Sequence, residues 1–320
     1  MVSSYAKQWM LGAAAAAIVM VSAFAAHAQD TQSPPDDKTN INLAVASNFY
    51  GFPPDNSAIT DLINAFEAAN PQYTVTVVDH GATGNLANQI INGNQLRVDL
   101  FLAADTATPL DLLTHHSDLV APYFSAPHAK LYIFNYAQGI LALLSNTPGV
   151  DLSCETGTCG YDPTVYSTVA IADPTVAPYG VAAQTVLTGR YGLTPPLSGN
   201  SLVHEYPNIT ATFDAVIAKT DPVGFVAMSA ICANGNYPTP GNGTSALAYF
   251  PIDNSPQSTS PLIHNYNPLT QAGIAIRNGR SDPQNVELKA FVAFLTDFTT
   301  SPLPNSPMIQ TLNKYCYSAP

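Results

Sequence analysis

The sequence predicts an α/β protein of two lobes, each a mostly parallel sheet flanked by helices, with a cleft between them. Three observations predict it. Short β-branched or wholly apolar runs alternate with runs of helical period along most of the chain, the order that builds parallel sheets with helices on both faces. Several strand-to-helix junctions carry small, hydroxylic or glycine residues and no Lys or Arg. A Pro/Asn/Ser-rich stretch from Pro251 to Pro261 marks a linker, beyond which strand and helix resume.

In chain order, residues 1–28 hold one basic residue, Lys7, then an apolar stretch from Met10 to Ala26, and finish Ala26-His27-Ala28. That is the pattern of a secretory signal, with cleavage expected after Ala28. An uncleaved anchor is the competing reading, but the apolar run is barely long enough to span a bilayer. No Cys follows the run, which argues against lipoprotein processing. Residues 29–40 are polar, with two prolines, and read as a flexible leader.

Ile41, Leu43 and Val45 alternate into Ala46 as a first strand. Ile59, Leu62, Ile63 and Phe66 recur at helical spacing behind Asn56 and Ser57, candidate caps, and Asn70-Pro71 stops that helix. Tyr73 to Val78 is β-branched and reads as a strand, Leu86, Ile90 and Ile91 as a helix, and Val98 to Ala103 as a strand. Lys130 to Phe134 and Ile140 to Leu144 are strand-like, as is Val169 to Ala172. Helices follow at Val181 to Leu187 and Thr210 to Ile217, then a strand from Val223 to Met228. Gly273 to Arg277 reads as a strand and Val286 to Phe298 as the last strong helix. This order places residues 41–127 and 250–320 in one lobe and 128–249 in the other.

Composition narrows the function. Ten Lys and Arg stand against 22 Asp and Glu, net −12, and 46% of residues are apolar. The apolar share excludes a disordered chain. The scarcity of cations excludes nucleic acid or an anionic membrane as partner, because either needs a basic face. Cys154, Cys159, Cys232 and Cys316 all follow the signal. An even count in an exported chain reads as two disulfides, the short loop Cys154–Cys159 and, by elimination, Cys232–Cys316. A zinc site is the weaker alternative, since no His lies within a few residues of the close pair.

In open parallel sheets a ligand sits at the carboxyl ends of the strands, where helix N-termini point their N–H groups and attract anions. Four junctions here suit that use: Ala46-Ser47-Asn48-Phe49, Gly81-Ala82-Thr83-Gly84-Asn85-Leu86, Asp173 to Gly180, and Tyr206-Pro207-Asn208-Ile209. Each offers uncharged donors.

The motifs, taken in order, resemble the periplasmic molybdate-binding proteins of ABC importers over residues 41 to 317. The resemblance rests on Leu43-Ala-Val-Ala-Ser-Asn-Phe49, Gly81-Ala-Thr-Gly-Asn-Leu-Ala-Asn-Gln-Ile90 and Val98-Asp-Leu-Phe-Leu-Ala-Ala-Asp105. It extends to Ile171-Ala-Asp-Pro174 with Pro178-Tyr-Gly180, to Val223-Gly-Phe-Val226 and to Leu312-Asn-Lys-Tyr315. It implies the two-lobed type II solute-binding fold and a monomeric periplasmic receptor. Such a receptor captures a tetrahedral oxyanion, molybdate or tungstate, and delivers it to an inner-membrane permease, with no cofactor and no free metal cation.

Carried over by position, the resemblance implies that Ser47, Asn48 and Thr83 contact the anion from the first two junctions, Thr83 standing where relatives usually have Ser. Tyr179 supplies the one tyrosine, and Ile209 donates through its backbone. Another subgroup takes its tyrosine from the position after the strand Val223 to Val226, where this chain has Ala227. The segment Tyr50-Gly-Phe-Pro-Pro-Asp-Asn56 is an insertion that delays the first helix. Asp105 and Asp173 read as cap and turn formers. An exported hydrolase is the main alternative of another class, and a receptor for a different anion such as sulfate the nearer one. The hydrolase lacks support: there is no Gly-x-Ser-x-Gly elbow and no His-Glu-x-x-His motif, and His115-His116 reads as a helix end.

Overall fold

The structure is a computed structural model that describes residues 40–51, 56–121, 123–125, 129–148, 150, 152, 166–232, 234–236, 246–250, 266–279, 286–301 and 305–320. The expected signal and leader up to residue 39, Cys154, Cys159 and the linker from 251 to 261 lie outside these residues.

Strand β1 (Asn40–Ala46) runs directly into a four-residue helix, α1 (Ser47–Tyr50). Next comes α2 (Ala58–Ala69), where Ser57 accepts the Thr60 N–H as an N-cap and Asn70 ends the helix ahead of Pro71. The elements β2 (Thr74–Gly81), α3 (Thr83–Ile91), β3 (Leu100–Ala103) and α4 (Ala107–His115) follow. A short hairpin, β4 (Tyr123–Ser125) and β5 (Ala129–Leu131), precedes β6 (Ile133–Gly139). Then come β7 (Leu141–Ser145), β8 (Val169–Ala172), α5 (Pro178–Tyr191), β9 (Val203–Tyr206), α6 (Ile209–Ile217) and β10 (Val223–Ala227). The chain closes through β11 (Ala246–Phe250), β12 (Leu269–Ala275), α7 (Val286–Leu295) and α8 (Pro307–Lys314).

The strands form two five-stranded sheets, ordered β2-β1-β3-β12-β6 and β11-β7-β10-β8-β9. Each is parallel over three strands: β1 pairs in parallel with β2 and β3, and β8 with β9 and β10. The pairs made by β12 and β7 are antiparallel. Parallel pairing therefore occupies the strands whose ends carry helices, and antiparallel pairing the strands by which the chain crosses between sheets. One crossing lies at Gly139–Leu141. The run that the sequence divides at residue 128 continues in the first sheet to Gly139, because β6 pairs with β12. Strand period alone does not record which distant strand becomes the hydrogen-bond partner.

Both faces of each sheet are covered, as wholly apolar strands require. Ile41, Leu43 and Val45 of β1 pack with Phe49, Ile59, Leu62, Phe66, Phe291 and Leu312 on one face. Ala44, pointing the other way, packs with Leu86, Ile90, Phe101 and Leu112. The second sheet repeats this arrangement: Leu143, Ile171 and Phe225 face Ala183 and Val186 of α5, while Leu144, Ala170 and Val226 face Val216 of α6. The alternation of each strand thus sets the helix it buries, and the helices in turn bring their N-termini to one side.

A hollow at the helix N-termini

Between the two sheets lies a hollow of about 10 Å³, lined from the first sheet by Ala46, Ser47, Asn48, Gly81, Ala82, Thr83 and Ala104 and from the second by Ala177, Pro178, Tyr179 and Ile209. All five residues expected to touch an anion meet here. The insertion after Tyr50 does not displace Ser47 and Asn48, because α1 forms at once behind β1 and α2 starts separately. A larger cavity of about 220 Å³ opens beside Leu86, Gln89, Ile90, Asn92 and Leu96. That cavity sits at the carboxyl end of α3, where the helix dipole is negative and repels anions.

Helix starts with and without a side-chain cap both occur, and the uncapped ones include three at the hollow. Away from it, Ser57 caps α2 and Ser306 caps α8 with side-chain oxygens. At the hollow, α1, α3 and α5 start on Ala46, Ala82 and Ala177, and no side chain caps any of them. Alanine at this position costs about 0.5–2 kcal/mol relative to Ser or Asn. Three such starts, pointed into one space, leave first-turn N–H groups for something else to satisfy. In α6 the Asn208 side chain accepts the Ala211 N–H, and Ile209 is the first helical residue.

Among the side chains, Thr83 is 1% exposed and its Oγ1 accepts the Ala104 N–H at 3.0 Å. Its proton therefore remains to be donated elsewhere, and the hollow is what it lines. Asn48 is held from behind. Tyr317 donates to the Asn48 carbonyl at 2.8 Å and accepts the Asn48 side-chain N–H at 3.1 Å. The Ser229 hydroxyl donates to the same carbonyl at 3.2 Å. Burial, reinforced by Tyr317, Tyr266 and Tyr136, pushes the Tyr179 phenol well above its ordinary value. It therefore keeps its proton and is a donor at neutral pH.

Among the described residues, no Lys, Arg, His, Asp or Glu lines the hollow. Asp105, one residue beyond Ala104, is turned into capping, accepting the Thr108 N–H at 2.8 Å, and burial raises its carboxyl. Asp173 accepts from Thr175 as a turn former. His80 is exposed and stacks on Tyr50 with ring centroids 3.8 Å apart. His115 ends α4 and contacts Asp111 at 2.7 Å.

The sheets also touch directly around the hollow. Thr210 donates to the Ser47 carbonyl at 3.4 Å, and Asn56 to the Ala230 carbonyl at 3.4 Å. The Cys232–Cys316 disulfide joins the turn after β10 to the chain after α8. The terminal Lys314-Tyr315 pair clamps α8 to α2, Lys314 on Asp61 at 2.6 Å and the Tyr315 hydroxyl on Asp61 at 3.0 Å.

Sequence reasoning missed the polar residues behind the hollow: Gln271, Tyr136, Ser229 and Tyr317. Gln271 sits in the apolar strand β12 and is fully buried. A lone amide in such a strand is the signal that was available, since a buried polar side chain demands partners.

Comparison with known proteins identifies the family. Residues 41–300 match the family model of bacterial extracellular solute-binding proteins. The chain is 30% identical over 289 residues to the molybdate-binding protein ModA of Rhodobacter capsulatus, covering 89% of each chain. It is 29% identical over 244 residues to ModA of Azotobacter vinelandii, covering 76% of this chain and 80% of that one. Among solved structures, the periplasmic molybdate-binding protein of Azotobacter vinelandii superposes with a TM-score of 0.63 at 22% identity, covering 88% of this chain and 99% of that one. The iron-bound HitA of Pseudomonas aeruginosa, at TM-score 0.53 and 15% identity, shares the fold alone.

Proposed function

The chain belongs to the bacterial extracellular solute-binding protein family, and we propose that it is the periplasmic receptor of a molybdate importer, binding molybdate or tungstate in the hollow and handing it to a membrane permease. It is a binding protein and not an enzyme. The observation that carries the ligand class is the convergence of three helices with alanine N-caps and no side-chain cap on one small space without a cation.

Hydrogen bonds to a charged group contribute about 1.5–3 kcal/mol each, and each helix terminus adds about 0.3–2 kcal/mol. Thr83, Tyr179, Ser47 and the first-turn N–H groups together exceed the roughly 8–12 kcal/mol of a micromolar to nanomolar site, leaving a margin for desolvation and closure. The diffuse negative charge of the chain is screened beyond about 8 Å at physiological salt, so the local dipoles win.

Choice among anions follows from protonation. A full dianion needs donors only, whereas hydrogen phosphate brings a proton that needs an acceptor, and no carboxylate among the described residues lines the hollow to supply one. Its small volume disfavours bulky organic ligands. Ser47, Asn48, Thr83, Tyr179 and the Ile209 backbone are the contacts in this reading, and the chain acts as an exported monomer whose first 28 residues are removed. Two lobes, built on the two sheets, close over the anion. Calorimetric titration of residues 29–320 with molybdate, tungstate, sulfate and phosphate tests it. Tight one-to-one binding of molybdate and tungstate with weak phosphate is expected; absence of molybdate binding overturns the reading.

A further inference from the structure

Two buried polar groups beside the hollow face one another without a hydrogen-bond partner among the described residues: the Tyr179 hydroxyl and Gln271 Nε2. Tyr179 is on α5 of the second sheet and 2% exposed; Gln271 is on β12 of the first and fully buried. They meet over the bare α-carbon of Gly139, where β6 leaves the first sheet. A methyl group added at Gly139 would strike both the Tyr179 hydroxyl and Gln271 Nε2. An orphaned buried donor costs about 1–3 kcal/mol, so a facing pair of them calls for an explanation.

The far end of the Gln271 carboxamide supplies one. The Tyr136 hydroxyl lies 2.9 Å from the Ala103 carbonyl and 2.9 Å from Gln271 Oε1. A phenol has a single proton and can serve only one of these acceptors. With the carboxamide turned over, its nitrogen donates to Tyr136, Tyr136 donates to Ala103, and the amide oxygen faces Tyr179 and accepts its proton. Every group is then satisfied, but the Tyr179 proton is engaged. In the opposite orientation Nε2 donates to the Tyr179 oxygen and the phenol proton is released toward the hollow.

We propose that Gln271 is a positioning residue that works through Tyr179: its carboxamide oxygen holds the phenol proton while the hollow is empty, and on anion entry the amide turns over so that its N–H₂ fills the phenol lone pair and Tyr179 donates to the anion. This rests on the hollow being the oxyanion site. It adds a source of specificity, because a phenol oxygen already occupied by Gln271 cannot accept the proton of hydrogen phosphate. It also links the sheets, since the switch is completed only when α5 and β12 are brought together.

The test is a double-mutant cycle on molybdate affinity with Gln271→Met, Tyr179→Phe and the pair, backed by the NMR signal of tyrosine labelled at Cζ. Tyr179→Phe should bind about tenfold more weakly, the loss of one hydrogen bond to a charged guest, and Gln271→Met should lose part of that through a phenol left without its partner. The pair should be no weaker than Tyr179→Phe alone, and the molybdate-induced shift of the Tyr179 Cζ signal, which in the wild type also carries the turnover of the Gln271 amide, should change in Gln271→Met. Gln271→Glu, close in volume but acceptor-only when ionised, replaces Gln271→Met if that variant does not fold and should weaken binding at least as much. Penalties that multiply in the pair, or an unchanged Cζ shift, overturn the inference while leaving the site intact. A wild-type chain that ignores molybdate overturns the site reading itself.

Discussion

The backbone N–H of Gly84, in the first turn of α3, donates to the carbonyl of Val176 at 2.8 Å, fastening a helix of the first sheet to the loop that leads into α5 of the second. The contact depends on there being no side chain. A Cβ on Gly84 would lie 3.1 Å from Val176 Cα and 3.2 Å from its carbonyl oxygen. The two sheets therefore meet beside the hollow by close backbone approach, where a side chain would intervene.

Gly84→Ala separates closure from folding. Alanine favours the helix by about 1 kcal/mol over glycine, so the anion-free protein should hold or gain stability in urea titration. The crowded closed state should weaken molybdate binding by roughly threefold to tenfold, about 0.6–1.4 kcal/mol by calorimetry.

Thr83 does two jobs with one oxygen, accepting the Ala104 N–H and facing the hollow. Thr83→Ala should cost about 1–3 kcal/mol of stability, because Ala104 is left with an unpaired buried N–H, and a similar amount of anion affinity. Thr83→Ser keeps the oxygen and should retain most of both. Parallel melts and titrations of the two variants check this; equal losses in Ser and Ala would remove the hydroxyl from the site.

The Cys232–Cys316 bond spans a sequence separation of 84 and crosses from the cluster on the second sheet to the chain after α8, which packs with the first. Breaking it by Cys232→Ser with Cys316→Ser should cost about 2–4 kcal/mol. A bond joining the two sheets would restrain opening, so without it stopped-flow displacement should show faster anion release. Unchanged release with lowered stability would confine the bond to a folding role.

The buried tyrosines set an alkaline limit. Burial pushes Tyr317 up to about 12 and raises Tyr136 and Tyr179 well above their ordinary value. An unfolded tyrosine titrates near about 10, so above that pH the unfolded chain loses protons that the folded chain keeps. Stability from these groups is fully present below about pH 10 and falls between about 10 and 12. Denaturation curves from pH 7 to 11 should show the decline, and Tyr317→Phe should flatten it.

Much of the site was readable from residue order, and the reason is local. The motifs at the strand ends are runs of a few adjacent residues, so the family resemblance could carry Ser47, Asn48, Thr83, Tyr179 and Ile209 over by position before any fold was known, and the structure gathers them around one hollow. Ser57 announced itself as a cap by standing before a helical period. The four-residue α1 did not, being too short to show a period, and the sequence therefore placed the first helix only at α2. Tyr317 was invisible for a different reason: it serves Asn48 across 269 residues of chain, and no local pattern carries that pairing; Gln271 shows in the sequence only as a lone amide in an apolar strand, without its partners.

The sequence decided the alternation of strands and helices, the apolar faces that sort the helices to either side of each sheet, and the uncharged turn residues at the strand ends. These follow from short-range preferences and from the burial of apolar surface. Only the tertiary structure decided that the alanine starts of α1, α3 and α5 would share one space. It also decided that β6 would cross at Gly139 and that a glutamine from β12 would stand behind Tyr179. Hydrogen bonds and dipoles act over a few ångströms, and which groups come within that reach is settled by how distant segments pack.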